Sequence, residues 1–250
     1  MALPNYFSKM YRYPFNVLII GWTILIVCIV CWIYDSIYTE TFYFAKKEAY
    51  KGVEKDVMYR AWATEHGGVY VPLTGKTLPN PYLQNVPERD VVTPSKRILT
   101  LMNPAYMTRE VLELSSKRLG LSGHITSLNP IRKENEADEW ETTALKSFEK
   151  GQKEFAGVNI IIQKKYFRYM APLITEKNCL KCHEKQGYKV GDIRGGISST
   201  VPWNSYDESI TRQTTKAVAS FGILWLLGLI GISIVNKKSI KSEEGINNKS

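Results

Sequence analysis

Two apolar stretches that contain no charged residue dominate the hydrophobic pattern of the chain, at residues 15–34 and 217–235. A helix needs about 20 consecutive apolar residues to cross the hydrocarbon core of a bilayer. We therefore predict a transmembrane helix at each stretch. Residues 35–216 form the domain between them.

The pattern of this middle domain alternates between the helical and the extended period. We expect helices at residues 35–65, 107–119 and 138–150, and about five short strands among six β-prone segments. Those segments are residues 68–72, 97–102, 124–128, 158–162, 166–173 and 195–201. A last helix begins at Asn204 or Ser205, which can cap it, and runs into the second apolar stretch. The predicted fold class is α+β: an antiparallel sheet with flanking helices, between two transmembrane helices.

Small apolar residues recur at four-residue steps along the predicted helix at 35–65. They are Ala45, Ala49, Val53, Val57 and Ala61. Such a stripe is typical of a seam against another helix. We therefore state as a hypothesis that the protein forms a homodimer through this stripe.

The distribution of charge predicts an orientation in the membrane. The chain has 33 Lys and Arg against 24 Asp and Glu, for a net charge of +9. Lys9 and Arg12 precede the first apolar stretch, and Lys237, Lys238 and Lys241 follow the second. Both sets belong in the cytoplasm under the positive-inside rule. The middle domain has no clustered basic stripe, so we expect no nucleic-acid partner.

The predicted organisation is that of a two-pass protein of the bacterial inner membrane. Residues 1–14 form a cytoplasmic N-terminus, residues 35–216 a periplasmic domain, and residues 236–250 a cytoplasmic tail too short for an effector domain. A cleaved signal peptide is the alternative for the first stretch, but no small-x-small cleavage site follows it. The expected partners are the lipid bilayer and another protein.

The clearest chemical motif is Cys179-Leu-Lys-Cys182-His183. Cys-x-x-Cys-His is the attachment signature of a c-type haem, whose iron would be bound by the adjacent imidazole. A disulfide between the two cysteines and half of a zinc site are the alternatives. Zinc would need a fourth ligand, and the domain has no second cysteine cluster. Cys28 and Cys31 lie in the first apolar stretch and are simplest as small apolar residues.

The sixth iron ligand is less clear from the sequence. His66, which precedes Gly67 and Gly68 at the end of a predicted helix, is the first candidate. His124 and a vacant position are alternatives, as are the methionines of the middle domain: Met58, Met102, Met107 and Met170. Arg109, Arg132 and Arg168 could pair with haem propionates, and Trp62, Tyr70, Tyr82 and Tyr169 could flank a haem. Surface and core roles are the simpler expectation for these residues.

Four stretches together resemble the haem-c PAS-like sensor family, and they cover nearly the whole middle domain. They are residues 62–72, 101–109, 124–130 and 179–196. The resemblance implies a periplasmic PAS-like domain, with Cys179 and Cys182 holding covalent haem c and His183 as the proximal ligand. Some members use a cysteine as the second axial ligand, but this middle domain has no spare cysteine.

The sequence thus predicts a haem-containing sensory subunit that detects redox state or a small ligand and signals through a partner protein. A monohaem cytochrome c that transfers electrons in a membrane complex is the alternative, and a degenerate accessory subunit is a third. No set of catalytic residues stands out, so we expect no enzymatic activity.

Overall fold

The computed structural model describes residues 15–183 and 186–247, which form two compact units. The first unit takes the described residues up to Phe42 and from Tyr206 onwards, and the second unit is Tyr43–Ser205. The cytoplasmic N-terminus predicted at residues 1–14 lies outside the described residues. Helices are interspersed with strands that pair only antiparallel, which places the second unit in the α+β class. The helices are α1 (Phe15–Glu65), α2 (Pro104–Leu119), α3 (Glu139–Glu149), α4 (Leu180–His183) and α5 (Asn204–Asn247). The strands are β1 (Val69–Pro72), β2 (Asp90–Val92), β3 (Ile98–Met102), β4 (Ser122–Thr126), β5 (Phe155–Ile161), β6 (Lys164–Ile174) and β7 (Ile193–Pro202).

The first unit contains the apolar parts of α1 and α5. Both helices are long and apolar enough to cross a membrane. Trp22 Nε1 donates a hydrogen bond to the carbonyl of Trp225 at 3.1 Å, and Trp225 Nε1 donates to Thr23 Oγ1 at 3.0 Å. A Cβ at Gly228 would lie 2.2 Å from the Trp22 indole. The two helices therefore pack closely at this point, where only glycine leaves room for the ring.

The strands of the second unit form two antiparallel sheets rather than one. The larger sheet has the order β4-β7-β6-β5, and the smaller has the order β1-β3-β2. Within the described residues there are seven strands in place of the expected five or so. The segment at β2 went unpredicted because it is only three residues long and begins with Asp90. Such a segment becomes a strand through its partner β3, not through its own pattern.

The hairpin predicted near residues 158–173 is present, but its turn is shorter and earlier than expected. Ile162 and Gln163 alone connect β5 to β6, with φ of 47° and 61°. Two residues at positive φ are the mark of a type I′ turn, whose twist matches that of the flanking strands. Lys164 and Lys165 therefore pair with Ile161 and Ile160 instead of lying in the loop.

The capping residues explain where α2 and α3 begin. Asn103 accepts a hydrogen bond from the backbone of Tyr106, and proline follows it at the first helical position. Helix α2 thus begins three residues earlier than its apolar periodicity indicated. Asp138 and Glu141 form a capping box at the start of α3. This box brings the Glu141 carboxylate under the larger sheet, where it is 1% exposed.

The core of the second unit lies between α3 and the larger sheet. Leu145 and Phe148 of α3 are 2% exposed and pack with Met170 of β6, which is fully buried. Gly196 of β7 faces this cluster, since a Cβ there would lie 2.2 Å from the Met170 methyl group. Met170 is therefore a core residue and not the haem ligand considered from the sequence.

The stripe of small residues on α1 is buried within a single chain over only half its length. Ala45, Ala49 and Val53 are at most 2% exposed, whereas Ala61 is exposed. A step of four residues turns an α-helix by about 40° more than a full turn, so Ala61 lies about 160° around the helix from Ala45. The stripe is therefore not one face of the helix, and its buried half is not free for a dimer seam.

Candidate haem site

The Cys-x-x-Cys-His motif lies in the connection between β6 and β7. Cys179 ends a 3-10 turn, Lys177–Cys179, and His183 ends the short helix α4. The backbone of Glu176 donates a hydrogen bond to Cys179 Sγ at 3.4 Å, and the Cys179 thiol forms no disulfide. Cys182 follows about one turn later in α4, but its side chain lies outside the described part of the structure. The prediction that Cys182 forms a second thioether bond therefore rests on the sequence motif alone.

His183 is held in the form that binds metals. Its Nδ1 hydrogen bonds with Gln186 Oε1 at 2.7 Å. Because an amide oxygen only accepts, Nδ1 carries the proton and Nε2 carries the free lone pair. Burial lowers the pKa of His183, and the charges of Arg194 and Arg60 lower it further, against the effect of Gln186. A neutral imidazole oriented through Nδ1 is the usual state of an iron-binding histidine.

Two arginines from distant parts of the chain lie close enough to this motif for their charges to act on His183. Arg60 belongs to α1, and Arg194 is the second residue of β7. Burial lowers the pKa of both guanidinium groups, and the Cys179 sulfur acts in the opposite direction on each of them. Arg60 Nη1 and Arg194 Nε are buried and have no hydrogen-bond partner among the described residues. The site thus contains two unpaired cationic N–H donors.

These residues fit the haem that the motif predicts. Cys179 offers a free thiol, and His183 offers an imidazole nitrogen with a free lone pair. The buried N–H groups of Arg60 and Arg194 suit an anionic ligand, and haem carries two carboxylates. Neither these two arginines nor Gln186 was predicted from the sequence as part of the site. Only the spacing of Gln186, three residues after His183, offered a local signal.

His66 lies where the sequence predicted, at the end of α1, with its side chain exposed. Its ring stacks on Trp62 at a centroid distance of 4.4 Å, and Nδ1 hydrogen bonds with the Trp62 carbonyl at 2.8 Å. Since a carbonyl only accepts, Nδ1 carries the proton and Nε2 has the lone pair. His66 lies six residues beyond Arg60, about 9 Å along the helix axis.

His124 is unsuited to be the sixth ligand because both of its nitrogens are occupied. Nδ1 contacts the Glu141 carboxylate at 2.9 Å, and Nε2 hydrogen bonds with the Glu134 carbonyl at 3.0 Å. Both partners are acceptors, so both nitrogens donate and the ring is an imidazolium. The hydrogen bond to Glu141 raises the pKa of His124, although burial opposes it. A protonated imidazole has no lone pair for iron.

The arginines considered from the sequence for haem propionates have other partners. Arg168 lies 2.8 Å from Asp138 and 3.2 Å from Glu141, and it covers the Trp140 ring at 4.3 Å. Arg132 pairs with Glu134, and Arg109 lies over the ring of Tyr106. The structure therefore assigns these three residues to surface and core contacts, as the simpler expectation held.

The remaining candidates divide between core and surface. Met102 and Tyr169 are buried at 7% and 2% exposure, while Met58, Trp62, Tyr70 and Tyr82 are exposed. Among the described residues no group of three or more His, Cys, Asp and Glu side chains is placed to hold a metal ion. The zinc alternative therefore gains no ligand set from that part of the chain.

The fold and the site together define a class: an α+β domain that carries a Cys-x-x-Cys-His motif and is flanked in the chain by two long apolar helices. A model of the family described as Tll0287-like matches residues 45–202. The chain belongs to this family, which confirms the recognition made from the sequence.

One solved structure similar to the chain is described as the crystal structure of the cyanobacterial haem protein Tll0287. The similarity has a TM-score of 0.41 and 16% sequence identity, over 61% of this chain and 91% of that chain. No curated protein sequence matches this chain.

Proposed function

We propose that this protein is a membrane-anchored sensory subunit whose periplasmic, PAS-like domain binds one haem c. The observation that carries the proposal is the state of His183, whose Nδ1 hydrogen bonds with Gln186 so that Nε2 carries a lone pair, in the same motif as the free Cys179 thiol. The matching family is named after Tll0287, a protein described as a haem protein, and this family membership supports the same cofactor here. We propose no enzymatic activity.

In this proposal Cys179 and Cys182 hold the porphyrin through thioether bonds, and His183 binds the iron. The haem supplies a one-electron iron couple and a coordination position at which a small ligand can bind. Gln186 fixes the orientation of the imidazole, and the low pKa of His183 keeps that imidazole unprotonated. Gln186 and His183 would thus hold a bound haem from one side in a fixed arrangement, so that any exchange of ligands would take place elsewhere on the iron.

We propose His66 as a displaceable sixth ligand. It is exposed, its Nε2 carries a lone pair, and it follows Arg60 on α1 by less than two turns. Helix α1 continues from this end back to Phe15 without a break, and α5 runs unbroken from Asn204 through the second apolar stretch. Displacement of His66 would act on the end of a helix that reaches a membrane span, which supports sensing over simple electron transfer.

The first test is the visible spectrum of the full chain purified from a strain with c-type haem maturation. We expect a haem that survives acid-acetone extraction and gives a c-type pyridine haemochrome. Addition of carbon monoxide to the reduced protein should shift the spectrum, because the sixth position exchanges. A c-type haem whose spectrum does not change with carbon monoxide would have two ligands that do not exchange. That result would favour the electron-transfer alternative. Absence of covalent haem would refute the proposal.

Single substitutions then assign the ligands. His183→Ala should abolish the normal haem spectrum. His66→Ala should convert a six-coordinate spectrum to a five-coordinate one, whereas Met58→Ala, at an exposed methionine of the same helix, should leave the spectrum unchanged. An unchanged spectrum in His66→Ala would exclude His66 as a ligand without affecting the haem assignment.

A further inference from the structure

Arg60 and Arg194 each have one buried guanidinium nitrogen without a hydrogen-bond partner, and neither forms an ion pair with a carboxylate among the described residues. Arg168 also has a buried, unpaired Nε, but its two terminal nitrogens contact the carboxylates of Asp138 and Glu141. Arg194 donates from Nη1 to Ser127 Oγ at 3.1 Å and lies over the ring of Tyr188, but its Nε is buried and unpaired. A buried charged donor without an acceptor is costly, so a ligand that supplies acceptors would be strongly favoured.

The two guanidinium groups also lie near each other. The charge of Arg194 lowers the pKa of Arg60, and both charges lower the pKa of His183. Two like charges in a partly buried site repel, and a ligand with two negative groups would neutralise both. Arg194 follows Ile193, which pairs with Ile174 at the end of β6, so it lies at one end of the β6–β7 connection that carries the motif. Such groups would therefore belong to a molecule attached at Cys179 and His183.

We infer that Arg60 and Arg194 bind the two propionate groups of the haem, each through charge-assisted hydrogen bonds. The inference rests on the proposed haem function and adds two binding residues that are remote from the Cys-x-x-Cys-His motif in sequence. Arg60 would also connect the haem to α1, the helix that ends next to His66. A change at the iron would then reach α1 at two points, through a propionate and through the sixth ligand.

The test uses the full chain with Cys179→Ala and Cys182→Ala, so that haem binds without covalent bonds and its affinity can be measured. Two probes are compared: protohaem, and its dimethyl ester, in which both carboxylates are blocked. We expect Arg60→Gln and Arg194→Gln each to weaken protohaem binding by roughly tenfold to a hundredfold. The same substitutions should change binding of the dimethyl ester by less than about threefold, because its charge-assisted bonds are already lost.

Arg118→Gln, at an exposed arginine in the last turn of α2, is the matched control and should affect neither probe. Equal weakening of both probes would mean that the arginines support the fold rather than the propionates, and would overturn the inference. Undiminished protohaem binding would overturn it as well.

A second measurement applies to the covalent holoprotein, in case the cysteine-free chain does not fold. Resonance Raman spectra report the propionate bending modes, which respond to hydrogen bonding. Arg60→Gln and Arg194→Gln should shift these bands, and Arg118→Gln should not. Unshifted bands in a haem-loaded protein would refute the role of the arginines alone, whereas a chain without haem would refute the proposed function.

Discussion

Replacement of Glu141 by glutamine would test the charged network beneath the larger sheet. The Glu141 carboxylate accepts hydrogen bonds from His124 at 2.9 Å and Ser198 at 2.8 Å, and it contacts Arg168 at 3.2 Å. Its side chain is 1% exposed and that of Arg168 is 6% exposed. Glutamine keeps the size of the side chain and can still complete the capping box with Asp138, so the substitution mainly removes charge.

The size of the expected loss in unfolding free energy follows from the buried charge that Glu141→Gln leaves uncompensated. Removal of one partner from a buried ion pair costs about 3–5 kcal/mol. Arg168 keeps Asp138 at 2.8 Å, but the Asp138 side chain is 52% exposed. We therefore expect Glu141→Gln to lower the free energy of unfolding by about 3 kcal/mol, the lower end of that range. Glu134→Gln, at an exposed ion pair with Arg132, should change it by less than about 1 kcal/mol.

The network also predicts a dependence of stability on pH. The hydrogen bond to Glu141 raises the pKa of His124 above 6.5. The stability that protonated His124 contributes is therefore complete below pH 6.5 and is lost as the pH rises through the folded-state pKa of His124. Burial raises the pKa of Glu141, but hydrogen bonds from His124 and Ser198 bring it below 4.5 overall. The stability that the ionised Glu141 carboxylate contributes is complete above pH 4.5 and is lost as the pH falls through the folded-state pKa of Glu141. The network should therefore be most stabilising between pH 4.5 and 6.5.

Urea denaturation of the full chain in detergent, followed by tryptophan fluorescence at several pH values, measures both effects. The parent should lose stability as pH rises above 6.5, and Glu141→Gln should lose much of this dependence because His124 no longer has its carboxylate partner. A decrease below about 1 kcal/mol, or an unchanged pH profile, would refute the argument that the buried carboxylate compensates His124 and Arg168.

Two further predictions concern packing in the same unit. Gly195→Ala would place a Cβ 2.2 Å from the Thr126 carbonyl oxygen, which is backbone and cannot rotate away, so we expect a loss of more than about 2 kcal/mol in unfolding free energy. Gly157→Ala, which meets nothing within 4 Å, is its control in the same denaturation assay, and equal stability of the two variants would contradict the predicted clash. Phe148→Ala should cost about 3–5 kcal/mol because Phe148 is 2% exposed in the core cluster. Phe44→Ala, at a residue 63% exposed, should cost much less, and a similar loss in both would show that burial does not control the effect.

Local pattern predicted the helices and most strands because their causes lie within a few residues. The apolar stretches became the two long helices, and the β-prone segments at 97–102 and 195–201 became β3 and β7. Residues 35–65 were correctly predicted as helix, but the helix continues into the first apolar stretch without a boundary. Local pattern failed at β2, which owes its conformation to pairing with β3.

Only part of the candidate site could be predicted in the same way. Cys179, Cys182 and His183 are adjacent in the chain, and their spacing by itself indicates a covalent haem. Spacing cannot reveal that both nitrogens of His124 are bound, since its partner Glu141 comes from a different element. The same limit applies to Arg168, whose acidic partners lie on α3.

The sequence by itself determined the two apolar helices, the α+β class and the Cys-x-x-Cys-His motif, because each depends on residues close together along the chain. The tertiary structure decided which side chains meet that motif. It brings Arg60 of α1 and Arg194 of β7 close enough for their charges to interact, and it leaves one buried guanidinium nitrogen of each without a partner among the described residues. Contacts of this kind arise from how helices and sheets pack, and packing joins residues whose separation in sequence carries no signal.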